Sequence, residues 1–299
     1  MNNRSTFLFY ISYMLQFFFR VFLFGLISSS SLIAQNNTLL YQLKKNGHND
    51  IFVFGTIHVA KNELFTINNS LNSVLKKVDS AYFEIIPNEF EMMQAIQPYL
   101  YQSDTLALKN YLNPQQLKIV SKFLTQHFGN DKFINFHPLV INLSIHQTFY
   151  SKIDSKAMDM YFLEKMEKYK KGVGQLECIQ CQLDLFNQRP VYQQINEVLN
   201  TIENYEKHKN DLQKLFDIYA TQNLDSIYEF MLQEMNTDEN KSFYLEVLLN
   251  KRNREMVKKI HAFSKNSMNI YFIGAAHLPG ENGILNLLQQ QGFTIVPLK

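Results

Sequence analysis

At 299 residues the chain is long enough for one large domain or two small ones, and its 46% hydrophobic content can fill a sizeable core. Its 29 basic residues nearly balance 27 acidic ones, and no basic block or aromatic-interleaved basic stripe appears. That pattern excludes a nucleic-acid partner and leaves peptides or small molecules as substrates.

Residues 1–34 read as a signal peptide. Arg4 and Arg20 are its only charges, Val21 to Ile27 is apolar, and Ser28 to Gln35 offers a small-residue cleavage site after Ala34. Arg20 splits the apolar residues into two runs, each short of the about 20 needed to cross a bilayer, so cleavage is expected rather than anchoring. No cysteine lies near that site, which excludes a lipid anchor there. The expected product is exported, periplasmic or secreted, with no stable membrane insertion.

After the leader, Thr38 to Lys44 alternates weakly and predicts an edge strand, with Asn46-Gly47 as a hairpin turn into a strand over Ile51 to Phe54. That strand ends in Gly55-Thr56-Ile57-His58. Asn68 to Val78 sets Leu71, Val74, Leu75 and Val78 on one helical face. Ser80 to Ile86 predicts a short apolar strand interrupted by Glu84, a carboxylate that is costly to bury unless paired, hydrogen-bonded or bound to a metal.

From Glu89 to about Lys170 the periodicity is helical, with segments over Gln115 to His127, Phe136 to Phe149 and Ser155 to Lys170. Val173 to Glu177 predicts a small strand ending in another acid. The only cysteines, Cys178 and Cys181, follow it. A redox pair, a local disulfide and two buried thiols all remain open. The position deep in the chain and the Ile179-Gln180 filling argue against the first.

Val191 to Ala262 is again helical in pattern. Asn269 to His277 then repeats the earlier strand ending as Gly274-Ala275-Ala276-His277, before a helix over Asn282 to Gln291 and a last strand over Phe293 to Pro297. The expected fold is α/β (α+β): one domain over residues 35–299 whose central mixed β-sheet draws strands from both chain ends. Many helices flank it, and a large helical insertion spans roughly residues 89–262.

Four strand ends thus present His58, Glu84, Glu177 and His277. Ligands bind beyond the carboxyl ends of strands in open α/β sheets, and two imidazoles with one or two carboxylates form a competent set for a divalent metal such as Mn, Co or Zn. No H-E-x-x-H motif places two ligands on one helix, so the site depends on the fold. His48, His127, His137, His146, His208 and His261 lie in turns or helical stretches and carry no assigned role.

These residues resemble the TraB/GumN family, which includes the TIKI metalloproteases and is distantly similar to erythromycin esterases and ChaN-like haem-binding proteins. The resemblance rests on Gly55-Thr56-Ile57-His58, Tyr82-Phe83-Glu84, Met158-Asp159, Leu176-Glu177 with Gln182, Arg252-Asn253, and Gly274 to Gly280 through Gly283, Leu287, Leu288 and Gly292. It implies a metal-dependent hydrolase fold, peptidase-like, with His58, Glu84 and His277 as metal ligands.

In the mechanism this supports, Glu177 is general base or fourth ligand and Arg252 stabilises an oxyanion or a substrate carboxylate. Asp159 and Gln182 are expected to orient those groups. Two other readings stay open: a non-catalytic metal-, haem- or peptide-binding protein, and a metal-independent, esterase-like hydrolase with a histidine base.

Overall fold

The computed structural model describes residues 37–86, 88–100, 107–150, 155–233 and 238–299. The signal peptide read over residues 1–34 lies outside them. In chain order the elements are β1 (Leu40–Lys44), β2 (Ile51–Thr56), β3 (Val59–Lys61), α1 (Leu71–Lys77), β4 (Ser80–Phe83), α2 (Glu89–Leu100), α3 (Pro114–Phe128) and α4 (Pro138–Thr148). They continue with β5 (Ser155–Ala157), α5 (Met158–Lys168), β6 (Gly172–Gln175), α6 (Ile179–Asn187), α7 (Val191–Glu203), α8 (Tyr205–Ala220), α9 (Leu224–Gln233) and α10 (Asp238–Phe243). A π-helical segment (Tyr244–Asn250), α11 (Lys251–Phe263), β7 (Asn269–Gly274), α12 (Ile284–Gln290) and β8 (Thr294–Leu298) complete the chain. None of the helices among the described residues is long and apolar enough to cross a membrane.

The described residues form two compact units. One draws on residues 88–100, 107–150 and 179–213, the other on 37–86, 155–178, 214–233 and 238–299. Between the helical segments, residues 155–178 carry β5, α5 and β6 in the sheet unit. Ser155–Ala157, which reads as helix in the sequence, is extended because it pairs antiparallel with Val59–Lys61.

In the helical unit, α3 starts on a reciprocal capping box. The Asn113 side chain accepts from the Gln116 amide, the Gln116 side chain accepts from the Asn113 amide, and Pro114 fills the first helical position. Its inner face packs Val120, Phe123 and Leu124 against Ile141, Ile145, Ile195, Val198 and Ile202.

Helix α4 is capped by His137, whose Nδ1 accepts from the Leu139 amide at 3.2 Å. Burial lowers the imidazole pKa to about 4, which keeps that nitrogen unprotonated and able to accept. An unfolded histidine titrates near 6.5, so the folded state binds fewer protons between these values. Stability is then fully present above pH 6.5 and lost as pH falls towards 4, by about 3 kcal/mol. His137→Asn keeps a capping acceptor that does not titrate. Denaturant titrations across pH 4–7 should show a flatter pH dependence in this variant by about that amount; identical slopes in both proteins would refute the assignment.

The sheet unit has strand order β6-β4-β7-β2-β1-β8. The first four strands run parallel, whereas β1 is antiparallel to both β2 and β8. The first strand is thus interior, not the edge strand its weak alternation predicts. β8 covers its outer side, and Leu39, Leu40 and Leu43 are fully buried.

Register sorts the aromatic residues by face. Phe54, Phe272 and Phe83 lie across from one another and pack with Phe162 of α5, which stacks on Phe272 at 4.5 Å between ring centroids. One residue earlier, Tyr271 and Tyr82 project to the opposite face, where Phe263 at the end of α11 stacks on Tyr82 at 4.8 Å. Each such buried aromatic contributes about 1.5–3 kcal/mol by leaving water. This two-sided core holds the carboxyl ends of β6, β4, β7 and β2 as neighbours along one rim.

Candidate functional site

Along that rim each parallel strand delivers one titratable side chain: Glu177 after β6, Glu84 after β4, His277 after β7 and His58 after β2. Glu84 is buried at 6% exposure, just past the end of β4. Its Oε1 accepts from the Gly274 amide at 2.6 Å. A Cβ on Gly274 would stand 3.1 Å from that oxygen and 3.4 Å from the His277 ring, so glycine lets backbone and carboxylate approach this closely. Gly55 plays the matching part on β2, where a Cβ would meet Leu278 and Ala275 of the His277 turn at 3.0–3.3 Å.

Arg252, at the start of α11, reaches into the centre of the cluster and is 3% exposed. Its Nε donates to Glu177 Oε1 and Oε2 at 2.8 and 3.0 Å. One terminal nitrogen donates to Glu84 Oε2 at 2.6 Å and also to Glu177 Oε2. The other donates to the Leu248 carbonyl at 3.1 Å and to His277 Nε2 at 3.2 Å. All five N–H donors of the guanidinium are engaged. Burial works against its charge, but Glu177 and Glu84 more than offset this and raise its pKa, so Arg252 stays cationic.

The Leu248 carbonyl belongs to the π-helical segment Tyr244–Asn250. Wide π turns disturb the regular ladder of helix bonds and recur at functional sites. Here the segment ends two residues before Arg252 and supplies one of its acceptors.

His277 is 1% exposed on the short turn Ala275–His277. Its surroundings define one tautomer. Asn253 Nδ2 donates to the Asn282 carbonyl at 2.8 Å, which turns Asn253 Oδ1 towards the ring, so His277 Nδ1 carries the proton and donates it. Nε2 then keeps its lone pair, facing Arg252 and lying 4.0 Å from Glu84 Oε1. Burial first, and the Arg252 charge second, hold its pKa well below 6.5, so this imidazole is neutral.

His58 is partly exposed, and its charge is felt at His277. Its carbonyl accepts from the Met158 amide at 3.0 Å, and Tyr219 donates to the Gly55 carbonyl at 2.7 Å, so the β2 turn is tied on both sides. Asp159 follows Met158 in the first turn of α5. Burial first, then the Glu84 charge, push its carboxyl pKa well above the ordinary value, and its Oδ1 is enclosed without a hydrogen-bond partner among the described residues.

Glu84, Glu177, Arg252 and His277 are thus bonded together, with His58 and Asp159 within electrostatic reach. Gln182 lies on α6 in the other unit. Both cysteines are disulfide-bonded, which answers the question their spacing left open. The unassigned histidines have structural work: His137 caps α4, and His48 stacks on His261 at 4.9 Å. Asn253, which sets the His277 tautomer, was signalled only by its place beside Arg252.

Candidate ligands fit a divalent ion atom by atom but not as a set. Nε2 of His277 presents a lone pair with its other nitrogen anchored, as metal-binding histidines do. Yet the Arg252 guanidinium donates to that atom and to Glu84, so an ion bound there would have to displace it. Among the described residues no group of three or more His, Cys, Asp and Glu stands ready to hold a metal.

The sequence matches the TraB/PrgY/gumN family over residues 39–297, nearly the whole chain. Comparisons with curated proteins and with solved structures find no match. The match takes in all four strand ends and Arg252, and the chain belongs to the TraB/PrgY/gumN family.

Proposed function

We propose that the chain is an exported hydrolase acting at the acyl carbon of a peptide or ester, with its chemistry at the β6-β4-β7-β2 rim. The observation that carries this reading is the convergence of two carboxylates and a neutral, tautomer-defined imidazole on one buried guanidinium, beside a second, partly exposed histidine. So many buried polar groups cost stability unless each is satisfied, and such clusters mark functional sites.

His58 and Glu177 are the members open to solvent, Glu177 with a side chain 12% exposed. In this reading they take a proton from an attacking water and return it to the leaving group. Arg252, with every donor engaged, organises the carboxylates instead of waiting for an oxyanion. His277 and Glu84 fix the strand ends around it.

A second reading, hydrolysis assisted by Mn, Co or Zn held by His58, Glu84 and His277, is favoured by the unprotonated Nε2 of His277, although an ion there would have to displace Arg252 from it. Such an ion would supply an acidified water. Purified protein tested on mixed peptides and aryl esters, before and after exhaustive chelation, separates the two. Activity that survives chelation is the expected result. Loss on chelation with recovery on adding Mn, Co or Zn would establish the second reading, and binding without turnover in every condition would leave a binding protein of this fold.

A further inference from the structure

At the rim of the sheet, β6 has a neighbour on only one side. Its Gly172 amide donates to the Asp79 carbonyl and its Leu176 amide to the Phe83 carbonyl, so residues of that parity face β4. Val173 and Gln175 alternate with them, and their N–H and C=O groups point away from the sheet. Among the described residues those groups make no backbone–backbone hydrogen bond, since β6 pairs with β4 alone. Gly172, Val173 and Gln175 are exposed, Val173 at 43%.

We propose that this edge receives an extended peptide as an added antiparallel strand, guiding it to the rim where β6 runs into Glu177. Alternating backbone donors and acceptors at two-residue spacing are matched by another extended polypeptide and by no small ester. An antiparallel peptide that enters at Glu177 runs towards the amino end of β6, where Lys168, Lys170 and Lys171 precede the strand. An acidic segment on the carboxyl side of the reacting bond therefore fits best. The four-residue length and the lysines discourage pairing with a whole foreign sheet, while two outward donor–acceptor pairs suffice for one peptide.

The proposal rests on the hydrolase reading for its purpose but is tested without turnover. The probe is a fluorescein-labelled peptide of alternating threonine and valine closed by two aspartates, with binding read by anisotropy. Val173→Pro removes one outward N–H and leaves the β4 ladder intact, a change tolerated at sheet edges. It should weaken binding about tenfold, the loss of roughly one hydrogen bond. With the wild-type chain, N-methylating the peptide at every second residue should cause a similar loss in one parity and none in the other.

Equal effects in both parities, or unchanged binding in Val173→Pro, would overturn the proposal. So would a wild-type dimer that this variant converts to monomer in sedimentation, since a second copy would then occupy the edge. Cleavage of an aryl ester too small to reach β6 tests the hydrolase reading separately.

Discussion

Arg252→Ala lowers stability by about 3–5 kcal/mol in urea titrations and abolishes hydrolysis, the largest single effect expected in this chain. The size follows from what remains behind. Glu84, at 6% exposure, loses its one Arg or Lys partner among the described residues, Glu177 loses the fork that orients it, and His277 Nε2 loses its donor. Arg252→Lys keeps the charge but not the planar fork, so it should recover part of the stability and little of the activity.

Removing both members of the buried pair separates stability from function. Arg252→Met combined with Glu84→Leu should regain part of the lost stability, because a buried ion pair costs desolvation that apolar packing avoids. It should stay inactive. An active Arg252→Ala protein, or one as stable as wild type, would remove Arg252 from the centre of the site.

His58→Ala and His277→Ala should each lower kcat/KM by about 10²–10⁴, the range that one lost proton-transfer or orienting group commands. Their structural costs should differ, because the two histidines are not equivalent. His58 is partly exposed, and its loss leaves little behind. His277 is buried, so its loss strands Asn253 Oδ1 and one Arg252 N–H, at about 1–3 kcal/mol.

Of the two strand-end histidines, His58 is thus partly exposed and His277 enclosed. His261→Ala removes a ring that meets Lys45, His48 and Phe293, none of them at the rim, and should keep full activity. Because His277 is neutral well below pH 6.5, its own protonation adds no acid limb near that value. Full activity in either rim variant would place the chemistry elsewhere.

Much of this site could be read from local pattern. A β-branched and aromatic run closed by Gly-x-x-His occurs twice, and both copies are parallel strands, neighbours in the sheet, whose ends meet. Glu84 stood out because a carboxylate in an apolar run needs a partner, and its partners are Arg252 and the Gly274 amide. What those partners are was not local information.

Arg252 sits in Lys251-Arg252-Asn253-Arg254, where charge alone suggests a solvated helix face; only family resemblance singled it out. Its burial comes from tertiary packing. The π turn before it has no mark in the sequence, because Tyr244–Asn250 has the same apolar spacing as an ordinary helix. Three-residue strands such as β3 and β5 are too short for any period to register, and β1 looked like an edge because the strand that covers it arrives some 250 residues later.

That late arrival has a consequence for synthesis. β7 lies between β4 and β2 in the sheet yet is made after almost everything else, from residue 269 onward. Until it emerges, β2 and β4 have no strand to join them, Glu84 lacks the Gly274 amide, and Arg252 lacks His277. A nascent chain therefore carries no assembled rim, and pairing across such sequence separations is slow. If the chain is exported as proposed, slow closure would keep it threadable through a translocation channel while it is being made, and the rim cluster would be complete only when the last central strand is in place.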